Sequence, residues 1–99
     1  MGIFSNLFKT NSTPELKEKI ANGALLLDVR TKAEFAGGHA AGSTNIPLDQ
    51  LSGNMSKLDK SKPIVVVCAS GMRSGSAVSL LKKHGFTEVY NGGSWTKYL

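Results

Sequence analysis

One segment of the chain places a nucleophile beside groups that stabilise negative charge. Cys68 is the only cysteine among the 99 residues, and Ser70, Gly71, Arg73 and Ser74 follow it closely. Gly71 has no Cβ, so the backbone there can turn successive N–H groups inward and form a nest that binds anions. Such groups lower a thiol pKa from about 8.5 into a range of roughly 3.5–7.5. Although many single cysteines are inert apolar residues, this pattern predicts a thiolate that faces an anionic substrate.

The residues on either side of Cys68 predict the elements that must position it. Pro63–Val67 is a β-branched apolar run, which is typical of a buried parallel strand. Beyond the loop, apolar residues recur at helical spacing, and Ser74 is a candidate both for capping that helix and for contacting substrate. We therefore expect a strand at 64–68, a tight loop, and a helix at 74–84. The thiol then lies at the positive end of a helix macrodipole.

Strand-like and helix-like segments alternate along the whole chain. Apolar runs predict further strands at 24–29, 43–46 and 87–90. Two helices have clear starts, since Thr13 is placed to be an N-cap and Thr31 with Glu34 forms a capping box for a helix that ends at Ala36. The alternation predicts an α/β fold, a mostly parallel twisted sheet of about four to five strands with helices on both faces. Ligands of such sheets bind beyond the carboxyl ends of the strands, where Cys68 lies.

Size, charge and cysteine count limit the classes of function. The length fits a single domain over residues 1–99, with a leader segment at 1–12. The net charge is +5, but the basic residues form no stripe with interleaved aromatics, so we expect attraction for small anions and no nucleic-acid binding. One cysteine excludes an internal disulfide framework, and the two histidines are far apart, so neither a metal site nor a cofactor is predicted.

The apolar runs, the leader segment and the single thiol indicate where in the cell the protein is expected. No apolar run is long enough to span a membrane. Residues 1–9 predict a short amphipathic leader that packs Phe4, Leu7 and Phe8 on the domain, with weak membrane or partner contact as the alternative. A lone accessible thiol fits a reducing compartment, so we expect a cytoplasmic protein.

Three groups of residues stand in a fixed order along the chain. The groups are Leu27–Arg30 with Glu34–Phe35, Gly38–His39, Gly42 and Asn45–Pro47; then Cys68-x-x-Gly71-x-Arg73-Ser74; and finally Asn91–Gly93 with Trp95. They resemble the first signature, the active-site loop and the C-terminal signature of the rhodanese family, in particular its single-domain thiosulfate sulfurtransferases. The resemblance covers roughly residues 13–96 and therefore nearly the whole chain.

This resemblance implies a sulfurtransferase with Cys68 as its catalytic residue. Cys68 would take the outer sulfur of thiosulfate or a related sulfane donor, carry it as a persulfide, and pass it to cyanide or a thiol by ping-pong kinetics. The loop that would bind substrate comprises Ala69, Ser70, Gly71, Met72, Arg73 and Ser74. Asp28 and Arg30 would support the floor and rim of the site, or simply pair with Glu34 or the loop backbone. A sulfur-relay protein is a candidate partner.

Two other functions stay open. The same loop would serve a sulfur carrier or persulfide sensor that a partner loads and that turns over little thiosulfate. A phosphatase or arsenate reductase on this fold is less compatible with the loop, because four residues separate Cys68 from Arg73. That is one residue fewer than in protein tyrosine phosphatases. The resemblance implies that the tighter ring of amides suits a sulfur atom, as in the rhodanese family, better than a tetrahedral phosphate.

The remaining residues near the loop have structural interpretations. His39 is expected to fix a turn rather than to act as a base for Cys68, because a thiolate stabilised by amides has little need of one. Met72 is expected at the rim of the entrance, and Trp95 in the core or as a lid. The pair Gly92–Gly93 predicts a tight turn into a short final helix.

Overall fold

A parallel sheet of four strands forms the centre of the molecule in the computed structural model, which describes residues 11–99. The strands are β1 (Leu25–Asp28), β2 (Thr44–Asn45), β3 (Ile64–Cys68) and β4 (Val89–Ser94). Their order across the sheet is β2-β1-β3-β4, and every neighbouring pair is parallel. The predicted α/β fold is therefore confirmed, with the strand that carries Cys68 inside the sheet.

Residues 11–99 also contain three α-helices and three 3-10 segments, of which the first helix precedes the sheet and the last 3-10 segment follows it. The helices are α1 (Thr13–Ala21), α2 (Lys32–Ala36) and α3 (Met72–Lys83), and the 3-10 segments are Leu48–Gln50, Ser52–Lys57 and Trp95–Tyr98. Helix α3 begins two residues earlier than predicted. The N-cap of α1 is Ser12 and not Thr13, because the Ser12 hydroxyl accepts from the Glu15 N–H while the Glu15 carboxylate accepts from the Ser12 N–H. The capping box predicted for α2 is present.

The two faces of the sheet bury separate cores. Along β3, Val65 and Val67 pack on one face with Leu16 of α1, whereas Val66 packs on the other face with Leu81 of α3. This alternation follows from the period of two along a strand. Helices therefore cover both faces, as predicted, and β3 is buried along its whole length.

Strand β4 continues through Gly92 and Gly93, so the tight turn predicted for this pair is wrong. The register opposes Val66 to Asn91 and then Val67 to Gly93, which leaves Gly92 as the extra residue of a bulge. A Cβ on Gly92 would lie 2.9 Å from a methyl carbon of both Val65 and Val67. Gly92 is therefore required by the close approach of two strands and not by a turn.

No helix among residues 11–99 is long and apolar enough to cross a membrane. Most of the predicted leader, including Phe4, Leu7 and Phe8, lies outside the described residues.

Gly92→Ala should lower the free energy of unfolding by about 1–3 kcal/mol, the usual cost of overpacking a core. The two valines are branched at Cβ and have little rotamer freedom with which to move aside. Urea denaturation followed by circular dichroism measures the change. Gly53→Ala is the matched control, because Gly53 is exposed and an added Cβ there meets nothing within 4 Å. Equal stability of the two variants would contradict the tight contact.

Candidate active site

Cys68 is the last residue of β3 and lies just before α3, at the carboxyl edge of the sheet where the sequence predicts it. Its exposed fraction is 0%, since its side chain belongs to the core cluster that contains Val66 and Ala77. The expectation of an accessible thiol is therefore wrong for this state of the molecule. The thiol is covered because the strand that carries it is interior to the sheet and α3 packs over its end.

The loop after Cys68 turns backbone donors toward the sulfur. The Gly71 N–H donates to Cys68 Sγ over 2.9 Å, and the Ser74 hydroxyl oxygen lies 3.5 Å from the same sulfur. Gly71 has a φ of 105°, in the left-handed region that favours glycine, and it immediately precedes the first residue of α3. Ser74 does not cap the helix, as the alternative interpretation would have it, but lies buried within the first turn.

These donors decide the acidity of the thiol. Burial raises the pKa of Cys68. Hydrogen bonds from the Ser74 hydroxyl and from the backbone N–H groups of Ser74, Gly71 and Ser70 lower the pKa by a larger amount. The pKa of Cys68 therefore falls below its ordinary value. The predicted thiolate is supported by this geometry, and the stabilising dipoles are those of the Ser74 hydroxyl and of three backbone N–H groups.

Arg73 is not a free cation above the site. Its guanidinium donates to both carboxylate oxygens of Glu34, over 2.7 and 3.0 Å. The pair raises the pKa of Arg73, and the Arg73 hydrogen bond holds the pKa of Glu34 at about 2. The carboxylate of Glu34 therefore partly offsets the positive charge that Arg73 brings to the substrate-binding loop.

Asp28 and Arg30 form a buried brace under the rim. Arg30 Nη2 lies 2.8 Å from Asp28 Oδ2 and also donates to the Gly38 carbonyl over 2.8 Å. A further bond of 3.4 Å reaches the Glu34 carbonyl, and the Arg30 guanidinium lies 4.4 Å from the ring centre of Trp95. The ion pair is thus with Asp28 rather than with Glu34, while the predicted bonds to loop backbone are present. The brace holds the backbone of the helix that carries Glu34.

His39 fixes the turn after α2, as predicted. Its ring is stacked on Phe35 with centroids 3.7 Å apart, and its Nδ1 lies 2.8 Å from the Phe35 carbonyl oxygen.

Among residues 11–99, no three His, Cys, Asp or Glu side chains cluster closely enough to hold a metal ion.

Comparisons with known proteins show the family to which the chain belongs. Residues 12–99 match the family described as Rhodanese-like domain. The chain belongs to that family. A thiosulfate sulfurtransferase GlpE of Ectopseudomonas mendocina is 36% identical over 84 residues, which are 85% of this chain and 77% of that protein. The structure of a human single-domain sulfurtransferase, TSTD1, has a TM-score of 0.74 at 30% identity and covers 90% of this chain and 93% of the human one.

Another relative is longer than the matched region. The protein YqhL of Bacillus subtilis, described as uncharacterized, is 46% identical over 68 residues, and this match spans 69% of the present chain but only 54% of that relative. The match therefore spans about half the length of that relative.

Asn91 is the residue of this rhodanese-like site that sequence reasoning missed. It belongs to the C-terminal signature, but nothing in the pattern indicates where its side chain points. In the structure its amide oxygen accepts from the Ser74 hydroxyl over 2.6 Å and from the Gly93 N–H over 3.0 Å. Its amide nitrogen donates to the Gly71 carbonyl over 3.0 Å. Asn91 therefore joins β4 to the loop around Cys68.

The outer residues of the loop form an exposed rim. Ala69 and Ser70 are exposed, and 81% of Met72 is accessible, so Met72 lies at the rim as predicted. A cavity of about 330 Å³ lies beside the loop, with Ser70, Gly71, Asn91 and Lys97 among its lining residues. Trp95 is half-buried over Arg30, where it packs at the edge of the site.

Cys68 should react with iodoacetamide at a rate whose pH midpoint lies below that of the same thiol in the urea-unfolded protein. The hydrogen bonds that lower the pKa exist only in the folded chain. Restricted access to the thiol slows the absolute rate at every pH, whereas the midpoint follows the pKa, which the hydrogen bonds lower by more than burial raises it. Rates of mass change measured across pH in both states give the comparison. A folded midpoint equal to or above the unfolded one would contradict stabilisation of the thiolate.

The Glu34–Arg73 pair should make the free energy of unfolding depend on pH in the acid range. The pKa of Glu34 is lowered in the fold from 4.5 to about 2, so its contribution is complete above 4.5 and is lost as the pH falls toward 2. Glu34→Gln retains a side chain that can complete the capping box, and it should lose less stability over that range than the wild type. Urea denaturation at each pH measures the difference. Glu18→Gln, an exposed position on α1, should lose as much as the wild type.

Proposed function

We propose that this protein is a sulfurtransferase that carries a sulfane sulfur on Cys68 and takes it from thiosulfate or a related donor. The observation that carries the proposal is the position of Cys68 Sγ, at the carboxyl end of an interior strand and 2.9 Å from the Gly71 N–H. A sulfur held by backbone N–H dipoles can remain anionic or carry a terminal sulfur without a metal or a base. Family membership and the name of the Ectopseudomonas relative support the same chemistry.

In the first half-reaction, the Cys68 thiolate attacks the outer sulfur of thiosulfate. A new S–S bond forms to Cys68 while the S–S bond of the donor breaks, and sulfite leaves with the electron pair. The enzyme then holds a Cys68 persulfide. The N–H groups of Ser70, Gly71 and Ser74, which lower the pKa of the thiol, would stabilise the charge on the persulfide as well.

In the second half-reaction, a thiophilic acceptor removes the outer sulfur. Cyanide or a thiolate attacks that sulfur, its bond to Cys68 Sγ breaks, and the electron pair returns to Cys68 as thiolate. Because each product leaves before the next substrate reacts, the scheme requires ping-pong kinetics.

Arg73 contributes to this scheme as one half of an ion pair. The bidentate contact with Glu34 fixes the guanidinium at the start of α3, and its side chain is about one-third exposed. Attraction of an anionic donor would therefore come chiefly from the loop amides and from the net charge of +5. Ala69, Ser70 and Met72, on the exposed rim, would contact donor or acceptor from outside.

A sulfur carrier loaded by another protein is the second candidate, and the complete burial of Cys68 favours it. A covered thiol would exchange sulfur after a partner has opened the loop, and the exposed Met72 offers an apolar contact at that place. Steady-state turnover of free thiosulfate indicates the enzyme, whereas one slow loading per chain indicates the carrier. We infer a reducing compartment such as the cytoplasm for either, because a lone thiol needed in its reduced form is preserved there.

Incubation with thiosulfate should add one sulfur atom to the protein and release one sulfite, because Cys68 is the only cysteine. Intact-mass spectrometry measures the adduct, and later addition of cyanide should remove it. Cys68→Ser should show no adduct. Absence of an adduct on the wild type with thiosulfate, mercaptopyruvate and glutathione persulfide would overturn the proposal. Hydrolysis of a generic phosphate ester would point to a phosphatase instead.

A further inference from the structure

A chain of three side chains leads from the sulfur of Cys68 to β4. Cys68 Sγ lies 3.5 Å from Ser74 Oγ, and Ser74 Oγ lies 2.6 Å from Asn91 Oδ1. Ser74 is fully buried within α3, so its hydroxyl has these two groups as its hydrogen-bond partners inside the fold. The hydrogen of that hydroxyl must therefore point to one or the other.

The orientation of the Asn91 amide is fixed by two backbone groups. Its nitrogen donates to the Gly71 carbonyl and its oxygen accepts from the Gly93 N–H, each over 3.0 Å. A flipped amide would set its NH₂ against the Gly93 N–H and its oxygen against the Gly71 carbonyl. The atom that faces Ser74 is consequently the amide oxygen, which can only accept a hydrogen bond.

This fixed acceptor determines the direction of the whole chain. A serine hydroxyl has one hydrogen, and when Ser74 donates it to Asn91, its oxygen can only accept from the Cys68 S–H. That arrangement suits the neutral thiol. When the thiol ionises, the sulfur has no hydrogen to give. It then gains a hydrogen bond from Ser74, in addition to the one from the Gly71 N–H, only if the Ser74 hydroxyl turns away from Asn91.

We propose that Asn91 is a positioning residue, which competes with the sulfur of Cys68 for the single hydrogen of the Ser74 hydroxyl. Asn91 holds this hydrogen while the site is at rest and gives it up when the sulfur becomes an anion or a persulfide. Release leaves no group without a partner, since Asn91 Oδ1 keeps the Gly93 N–H and Nδ2 keeps the Gly71 carbonyl. The proposal deepens the proposed function, on which its catalytic meaning rests.

Other charges face the same corner and must be held constant. These are the ion pairs Arg73–Glu34 and Asp28–Arg30, together with Lys97, which lines the cavity beside Asn91. None of these side chains is altered in the variants below. A change that appears on substitution of Asn91 therefore reports the hydrogen-bond chain and not a new ion pair.

The test measures the ultraviolet absorbance of the Cys68 thiolate against pH, with Cys68→Ser as the reference that cancels the tyrosines. Asn91→Ala should lower the midpoint by about one pH unit, since the freed Ser74 hydroxyl then adds one hydrogen bond to the anion. Asn91 is exposed, so the substitution leaves the core intact.

Ser74→Ala provides the decisive control. In that background Asn91→Ala should no longer lower the midpoint, because the hydroxyl through which Asn91 acts is absent. An unchanged midpoint in the Asn91→Ala single variant would overturn the proposal. The same fall with and without Ser74 would overturn it too, since the effect would then come from the lost bond to the Gly71 carbonyl. The measurement needs no sulfur donor, so its outcome is separate from whether thiosulfate forms a persulfide.

Discussion

A buried sulfur can bear negative charge only if fixed donors replace the water that it has lost. In this domain those donors are mainly backbone N–H groups, which the chain presents because β3 ends inside the sheet and α3 begins four residues later. The left-handed conformation of Gly71 turns one of them onto the sulfur at 2.9 Å. Backbone dipoles cost little reorganisation during a reaction because the fold holds them in place. The rest of the site serves to keep this loop in shape.

The second group of signature residues is this loop, and the first and last groups support it. The first group supplies the Asp28–Arg30 brace, and the brace supports the helix from which Glu34 reaches Arg73. The last group supplies Asn91, which contacts both the Gly71 carbonyl and the Ser74 hydroxyl. Residues far apart in sequence thus converge on a single turn of backbone.

The sequence predicts local features of this fold well and distant contacts poorly. The Thr31–Glu34 capping box and the buried strand before Cys68 depend on neighbours within a few residues, and both are found. The Glu34–Arg73 pair joins residues 39 apart, so no local pattern indicates it. Nothing in the sequence therefore shows that a carboxylate offsets the charge of Arg73.

Other differences have equally specific causes. The pair Gly92–Gly93 predicts a turn because glycine pairs commonly mark turns. At position 92, however, glycine is needed because two valines of the neighbouring strand lie close by. Ser12 and Thr13 are both good N-cap residues, and the reciprocal bonds with Glu15 select Ser12. The direction of the Asn91 amide depends on carbonyl and N–H groups of two different elements, and only the folded chain defines it.

The complete enclosure of Cys68 has a consequence for which molecules reach it. Any reagent must pass the short rim of the loop before it meets the sulfur, so its width matters as much as its intrinsic reactivity. A small inorganic anion would need a smaller displacement of the covering residues than a bulky thiol would. Under the proposed function, the same covering would slow the reaction of a Cys68 persulfide with bulky thiols and so lengthen its life between donor and acceptor.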